Sequence, residues 1–127
     1  MKVYTGENVR NVAVVGHGHA GKTSLVSAML YTAGATPRLG RVDDGSATTD
    51  YDDEEVSRKM SIAASLACAE WGQTKINFLD TPGFNMFVHE AKMVLPVVDA
   101  ARYPLERAIE AYRSVQAIAR DRVVLAM

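Results

Sequence analysis

The chain switches between two spacings of apolar residues. Asn11-Val12-Ala13-Val14-Val15 is a short apolar run that ends at Gly16. Such runs read as strands buried on both faces, the habit of parallel sheets. From Lys22 to Ala33 the apolar positions Leu25, Ala28, Met29 and Ala33 fall at helical spacing, and Gly34 is a natural stop. Thr36 to Lys59 carries too few apolar residues to pack and reads as a long mobile loop. A loop of that length inside a compact domain is usually functional. Beyond it Ile62, Ala64, Leu66 and Cys68 alternate with Ala63, Ser65, Ala67 and Ala69, which predicts a strand with Cys68 in the core. Trp71-Gly72-Gln73-Thr74 is a turn, and Ile76 to Leu79 is the hairpin partner. Asn85 to about Ala101 reads as a helix that Pro96 kinks or ends early. Leu105, Ala108, Ile109, Tyr112, Val115 and Ala119 recur as one face of an amphipathic helix, with Ile118 on the same side and Pro104 near its first turn. Val123-Val124-Leu125 predicts a last strand. The order β-α-loop-β-β-α-α-β is that of an α/β layered sheet.

Composition narrows the class. At 127 residues, 48% hydrophobic and 23% charged, the chain fits one globular domain. A net charge of −1 argues against binding nucleic acid by bulk charge, so DNA is not an expected partner. The single cysteine, Cys68, cannot close an internal disulfide, which points to a reducing compartment. Met1 to Arg10 lacks an apolar signal core, and no apolar run nears the ~20 residues that span a bilayer. The expectation is a cytoplasmic monomer with no membrane contact. The charge itself is uneven: seven acids and no base lie between Asp43 and Glu55 (Asp43, Asp44, Asp50, Asp52, Asp53, Glu54, Glu55).

Chemistry enters at Gly16-His17-Gly18-His19-Ala20-Gly21-Lys22-Thr23, which matches G-x-x-x-x-G-K-[ST] between a predicted buried strand and a predicted helix. Glycines let the backbone wrap closely around phosphates while successive N–H groups and the helix N-terminus point inward. Lys22 has the reach for β- and γ-phosphate oxygens, and the Thr23 hydroxyl suits Mg²⁺. The competing reading is a chance Gly-rich turn. A second signal is Asp80, at the end of the Ile76–Leu79 strand, where phosphate-loop proteins hold Mg²⁺ through water. Thr81, Pro82 and Gly83 follow, and the Gly83 N–H is placed to meet a γ-phosphate; taken alone this segment is an Asx-Pro-Gly turn. His17 and His19 read as loop residues near phosphates rather than metal ligands, and His89 as solvent-facing or packed. Arg38, Arg41, Arg58 and Lys59 are candidates for contact with nucleotide or RNA, with ordinary surface charge as the equal alternative.

Gly16 to Ser24, the acidic loop, Ser57-Arg58-Lys59-Met60-Ser61-Ile62 and Asp80-Thr81-Pro82-Gly83 together resemble the start of the GTPase domain of elongation factor G, over about Val9 to Ala101. The resemblance implies a P-loop NTPase fold: a three-layer α/β sheet with helices on both faces, incomplete at its C-terminal side. It implies GTP or GDP with Mg²⁺ as ligands and the ribosome as partner. Nucleotide would lie against Gly16, His17, Gly18, His19, Ala20, Gly21, Lys22, Thr23, Ser24, Asp80, Thr81, Pro82, Gly83 and Phe84. The metal would be held by Thr23, Asp80 and Ser61, the last standing where the family usually has a threonine. The first mobile switch would cover residues 36–60, and the second Asp80 to Phe84 with the helix after it.

Three departures accompany the resemblance. Phe84 stands where the family's D-T-P-G-H pattern has the histidine that orients the attacking water, and a phenyl ring has no polar atom for that task. His19 replaces an aspartate often found inside the loop. Arg102-Tyr103-Pro104-Leu105-Glu106 follows where the family continues into a buried V-V-V-D-A strand, so no strand is expected there and residues 102–127 diverge from the pattern. Arg122 to Leu125 resembles the strand before the guanine-reading N-K-x-D, and Met127 stands where that motif should begin. Four functions stay open: a partial GTPase domain in which Lys22, Mg²⁺ and the Gly83 N–H stabilise hydrolysis; a nucleotide-binding module without catalysis; a truncated non-functional fragment; and a P-loop ATPase or kinase.

Overall fold

A computed structural model describes residues 2–98, 100–104 and 122–126. Five strands form one sheet: β1 (Val9–Val15), β2 (Ser65–Trp71), β3 (Thr74–Asp80), β4 (Ala100–Pro104) and β5 (Arg122–Ala126), in the order β2-β3-β1-β5-β4. Only the β2–β3 pair is antiparallel. It closes through the two residues Gly72 and Gln73, with Gly72 at φ 61°, a left-handed value that glycine adopts freely. The strand β4 corrects the expectation that none follows Ala101. Its backbone pairs with β5 from Ala100↔Arg122 to Pro104↔Ala126. Pro104 sits at the last position of an edge strand, a place where proline is tolerated. The helix predicted from Leu105 to Ala119 lies outside the described residues.

The central position of β1 explains its uniform apolarity. Val12 and Val14 join Val26, Leu30, Ala69, Ile76 and Phe78 on one face, under α1 (Lys22–Thr32). Ala13 turns to the other face with Val94 and Val98. That second face is covered by α3 (Val88–Val94), flanked by 3₁₀ turns at Asn85–Phe87 and Leu95–Val97. The single helix expected over Asn85–Ala101 is therefore three short pieces, because Pro96 cannot continue an α-helical ladder.

The alternation in β2 is buried on the side opposite to the one expected. Ser65 and Ala69 are buried, Ala67 and Trp71 pack beside the α1 core, and Leu66 and Cys68 are exposed. Bulk decides: the register that turns Trp71 toward the core under α1 turns Cys68 away.

The acidic segment is not loop throughout. Asp53–Arg58 forms α2, whose N-cap Asp52 accepts a hydrogen bond from the Glu54 N–H. Ahead of it, Asp44 accepts from both the N–H and the hydroxyl of Ser46. Together with Ser46 N–H donating to the Arg41 carbonyl, these bonds fold residues 41–46 into a tight turn. Ala47, Thr49, Asp50 and Glu55 are buried. No described helix is long and apolar enough to cross a membrane.

Candidate functional site

The glycine-rich loop leaves the buried end of β1 and enters α1 through Gly21, at φ 85°. Gly21 has no side chain with which to cap the helix, so the first-turn N–H groups of α1 remain open to a ligand. Lys22 and Thr23, the first two helical residues, are buried beneath the loop. The Lys22 ammonium folds back and donates to the His17 carbonyl at 2.9 Å. Burial pulls its pKa down, and the Asp80 carboxylate opposes that. An anion arriving here would favour the charged form.

Asp80 is delivered by sheet register. It pairs with Val14 at the ends of β3 and β1, and the Thr81 hydroxyl locks that meeting point by donating to the Val14 carbonyl at 2.7 Å. The next residues are packed just as closely. A Cβ on Gly83 would lie 2.5 Å from the His17 carbonyl oxygen and would collide with the Lys22 ammonium. Only glycine fits that approach.

The far wall comes from the acidic segment. Asp50 and Asp80 are only 3% and 1% exposed. The Thr49 hydroxyl donates to one Asp80 oxygen at 2.7 Å. The Ser61 hydroxyl donates to one Asp50 oxygen at 2.7 Å and lies 3.1 Å from the Thr23 hydroxyl. The second oxygen of each carboxylate, Asp50 Oδ2 and Asp80 Oδ1, is buried without a hydrogen-bond partner. Burial raises both pKa values. Hydroxyls oppose this, Thr49 and Thr23 at Asp80 and Ser61 at Asp50, while neighbouring acids add to it, Asp50 for Asp80 and Glu55 for Asp50. Two orphaned carboxylate oxygens beside two hydroxyls are what a hard dication with oxygen ligands requires, so the residues fit Mg²⁺.

These parts surround a cavity of about 530 Å³ between the loop and the acidic segment, lined among others by Gly18, Lys22, Thr23, Asp50, Ser61 and Gly83. His19 and Phe84 also line it, and their rings meet edge to face at 5.2 Å. The Phe84 ring covers Gly18 so closely that a Cβ there would lie 2.8 Å from it. Gly16, His17, Thr81 and Pro82 lie behind this cavity, along a second depression shared with Gly83 and Phe84. Ser24 lines the main cavity, and Ala20 closes the loop by donating to the His17 carbonyl. Among the four basic candidates, Arg58 and Lys59 reach the cavity wall; Arg38 and Arg41 are not among its lining residues. His89 is exposed beside Glu90.

Three contributors escaped the sequence reading. Asp50 and Thr49 are two among many polar residues of one segment, and only burial distinguishes them. Glu55, also buried, accepts from the N–H groups of Ile62 and Ala63 at 2.9 and 3.2 Å, which fixes the backbone just after Ser61. An acid followed by the apolar Val56 within a short helix was the one available signal.

Residues 7–103 match the Elongation factor Tu GTP binding domain. The chain belongs to that family of translational GTPases. It is 37% identical over 100 residues to elongation factor G of Granulibacter bethesdensis, covering 79% of this chain and 14% of that protein. It is 40% identical over 93 residues to mitochondrial ribosome-releasing factor 2 of Danio rerio, covering 73% and 12%. A crystal structure from Thermus thermophilus superposes with a TM-score of 0.73 at 32% identity, over 94% of this chain and 19% of that one. The chain thus spans about one-seventh of the length of the curated relatives it matches. The expected P-loop fold of a partial α/β domain is the one observed.

Proposed function

We propose that this chain forms the phosphate- and Mg²⁺-binding part of an elongation factor G-like GTPase that acts on the ribosome. The observation that carries the reading is the convergence of Lys22, Thr23, Asp50 and Ser61 on one cavity under an uncapped helix N-terminus, with Asp80 buried behind them on the Thr49 hydroxyl. Preference for guanine rests on family membership, and action on the ribosome on the names of the relatives. Thr23, Ser61, Asp50 and Asp80 would hold Mg²⁺, which would supply charge to neutralise the phosphates. The Lys22 ammonium leaves the His17 carbonyl for β- and γ-phosphate oxygens. Loop N–H groups and that of Gly83 donate to the same oxygens, and their fixed placement stabilises charge that builds up during in-line attack by water.

The test is an equilibrium titration of fluorescent GTP, GDP and ATP. Wild type binds the guanine nucleotides in preference to ATP, and Lys22→Ala weakens GTP about 100-fold, the scale of a lost charge-assisted contact. Unchanged affinity in the variant would overturn the assignment.

Phe84 favours a second reading for hydrolysis. Its apolar ring lies over Gly18 and offers nothing to orient a water. On that reading GTP sets conformation and turnover is slow. Single-turnover hydrolysis with ribosomes separates the two: Phe84→His accelerates a slow GTPase, whereas no increase means that another group positions the water.

A further inference from the structure

Two described residues other than glycine hold a left-handed backbone, His19 at φ 61° and Lys59 at φ 52°, and both line the same cavity. His19 belongs to the tight loop itself. Lys59 is less easily explained by its backbone. It caps the C-terminus of α2, and its N–H bonds to the carbonyls of Glu55 and Val56. Glycine or asparagine performs that capping with less strain, so a lysine here runs against the local backbone preference.

The surrounding charges leave its ammonium free for a ligand. Arg58 is paired with Glu54 across one helical turn, and Lys22 is bonded to the His17 carbonyl. Among the described residues, Lys59 carries no ion pair, while Asp43 and Asp50 line the same wall. Lys59 precedes by two residues the serine that bonds Thr23, so the two Cα atoms lie at most about 7 Å apart. Its flexible four-carbon stem starts on the wall of the cavity that Ser61 and Gly83 also line.

We infer that Lys59 is a second phosphate-binding cation of this cavity, directed at the terminal phosphate of a nucleoside triphosphate. The inference rests on the nucleotide reading proposed above. A point charge at the end of a flexible stem adds affinity without demanding fixed geometry, and its contribution falls with salt. Because it acts at the terminal phosphate, it discriminates triphosphate from diphosphate.

The test compares wild type with Lys59→Gly, Lys59→Asn and Lys59→Arg, using fluorescent GTP and GDP at low salt and thermal melts without nucleotide. Gly and Asn weaken GTP about fivefold and GDP much less, and Arg keeps most of the GTP affinity. Lys59→Gly melts a few degrees higher than wild type, because the strain is gone. A purely structural lysine would instead lower melting and both affinities together, which overturns the inference. Equal GTP affinity in wild type, Lys59→Gly and Lys59→Asn overturns it too while leaving the nucleotide reading intact. A wild type that binds neither nucleotide overturns both.

Discussion

The cavity has two walls built on different principles. The wall from Gly16 to Ser24 is made of backbone. Its shape is set by Gly21 in a left-handed conformation, by Gly83 pressed against the His17 carbonyl, and by an uncapped helix start. The wall from Val42 to Ser61 is made of side chains. It holds the Asp50 carboxylate on the Ser61 hydroxyl and reaches across to Asp80 of β3 through the Thr49 hydroxyl, leaving one oxygen on each of these nearly inaccessible acids without a partner. The first wall is complete as it stands. The second is under electrostatic tension until positive charge arrives.

The difference can be broken from either side. The largest effect is expected on the backbone wall. Gly83→Ala forces Lys22 and the His17 carbonyl apart, costing about 2 kcal/mol of stability and about 100-fold in nucleotide affinity. A binding isotherm and a melt identical to wild type would show that this approach is not required.

A middle effect is expected on the carboxylate wall. Asp50 and Asp80 have folded-state pKa values raised by burial, so their protonated forms favour the native state. Their contribution is present below the ordinary carboxylate range and is lost as pH rises through the raised values. Melting temperature without metal should therefore fall as pH climbs from acid to neutral. Mg²⁺ should recover it at pH 7 and do little in acid. Asp80→Asn should melt a few degrees higher than metal-free wild type at pH 7 and no longer respond to Mg²⁺. A pH-independent gain from Mg²⁺ would place the ion elsewhere.

The smallest effect is expected at the tether. Glu55→Gln keeps the shape but weakens two hydrogen bonds to Ile62 and Ala63, a loss of about 1 kcal/mol. Amide hydrogen exchange at Ile62 and Ala63 should quicken while Gly21 and Lys22 stay as protected as before. Equal quickening on both walls would mean that they move as one.

The same contrast explains what could be read before the fold was known. A backbone wall needs glycines and a lysine at fixed local spacing, so Gly16 to Thr23 was legible letter by letter. Asp80 was legible because a single acid ends an apolar strand. The side-chain wall depends on partners far apart in sequence: Thr49 with Asp80, Ser61 with Thr23. Ser61 was reached only through family resemblance. Asp50 is one of seven acids with no local mark of burial. The fold was legible where periodicity is strong, in β1, α1 and the β2–β3 hairpin. It misled where the bulk of Trp71 on the same strand set which face is buried, at Leu66 and Cys68, and where short pieces replaced a predicted helix around Pro96. The strand Ala100–Pro104 had no signal of its own, since it is specified by pairing with β5.

Helix α2 has only six residues, stapled by Asp52 at one end and a left-handed Lys59 at the other. A helix that short does not persist without its contacts. Ser61 follows it by three residues, and Glu55 from within it holds the backbone just beyond. The meeting of the Ser61 and Thr23 hydroxyls therefore has a lifetime, and that lifetime is how long two turns of helix take to unwind. Helix–coil relaxation in short segments takes less than about a microsecond, and that is the timescale this link sets for the empty site. A ligand bridging both walls stops that clock.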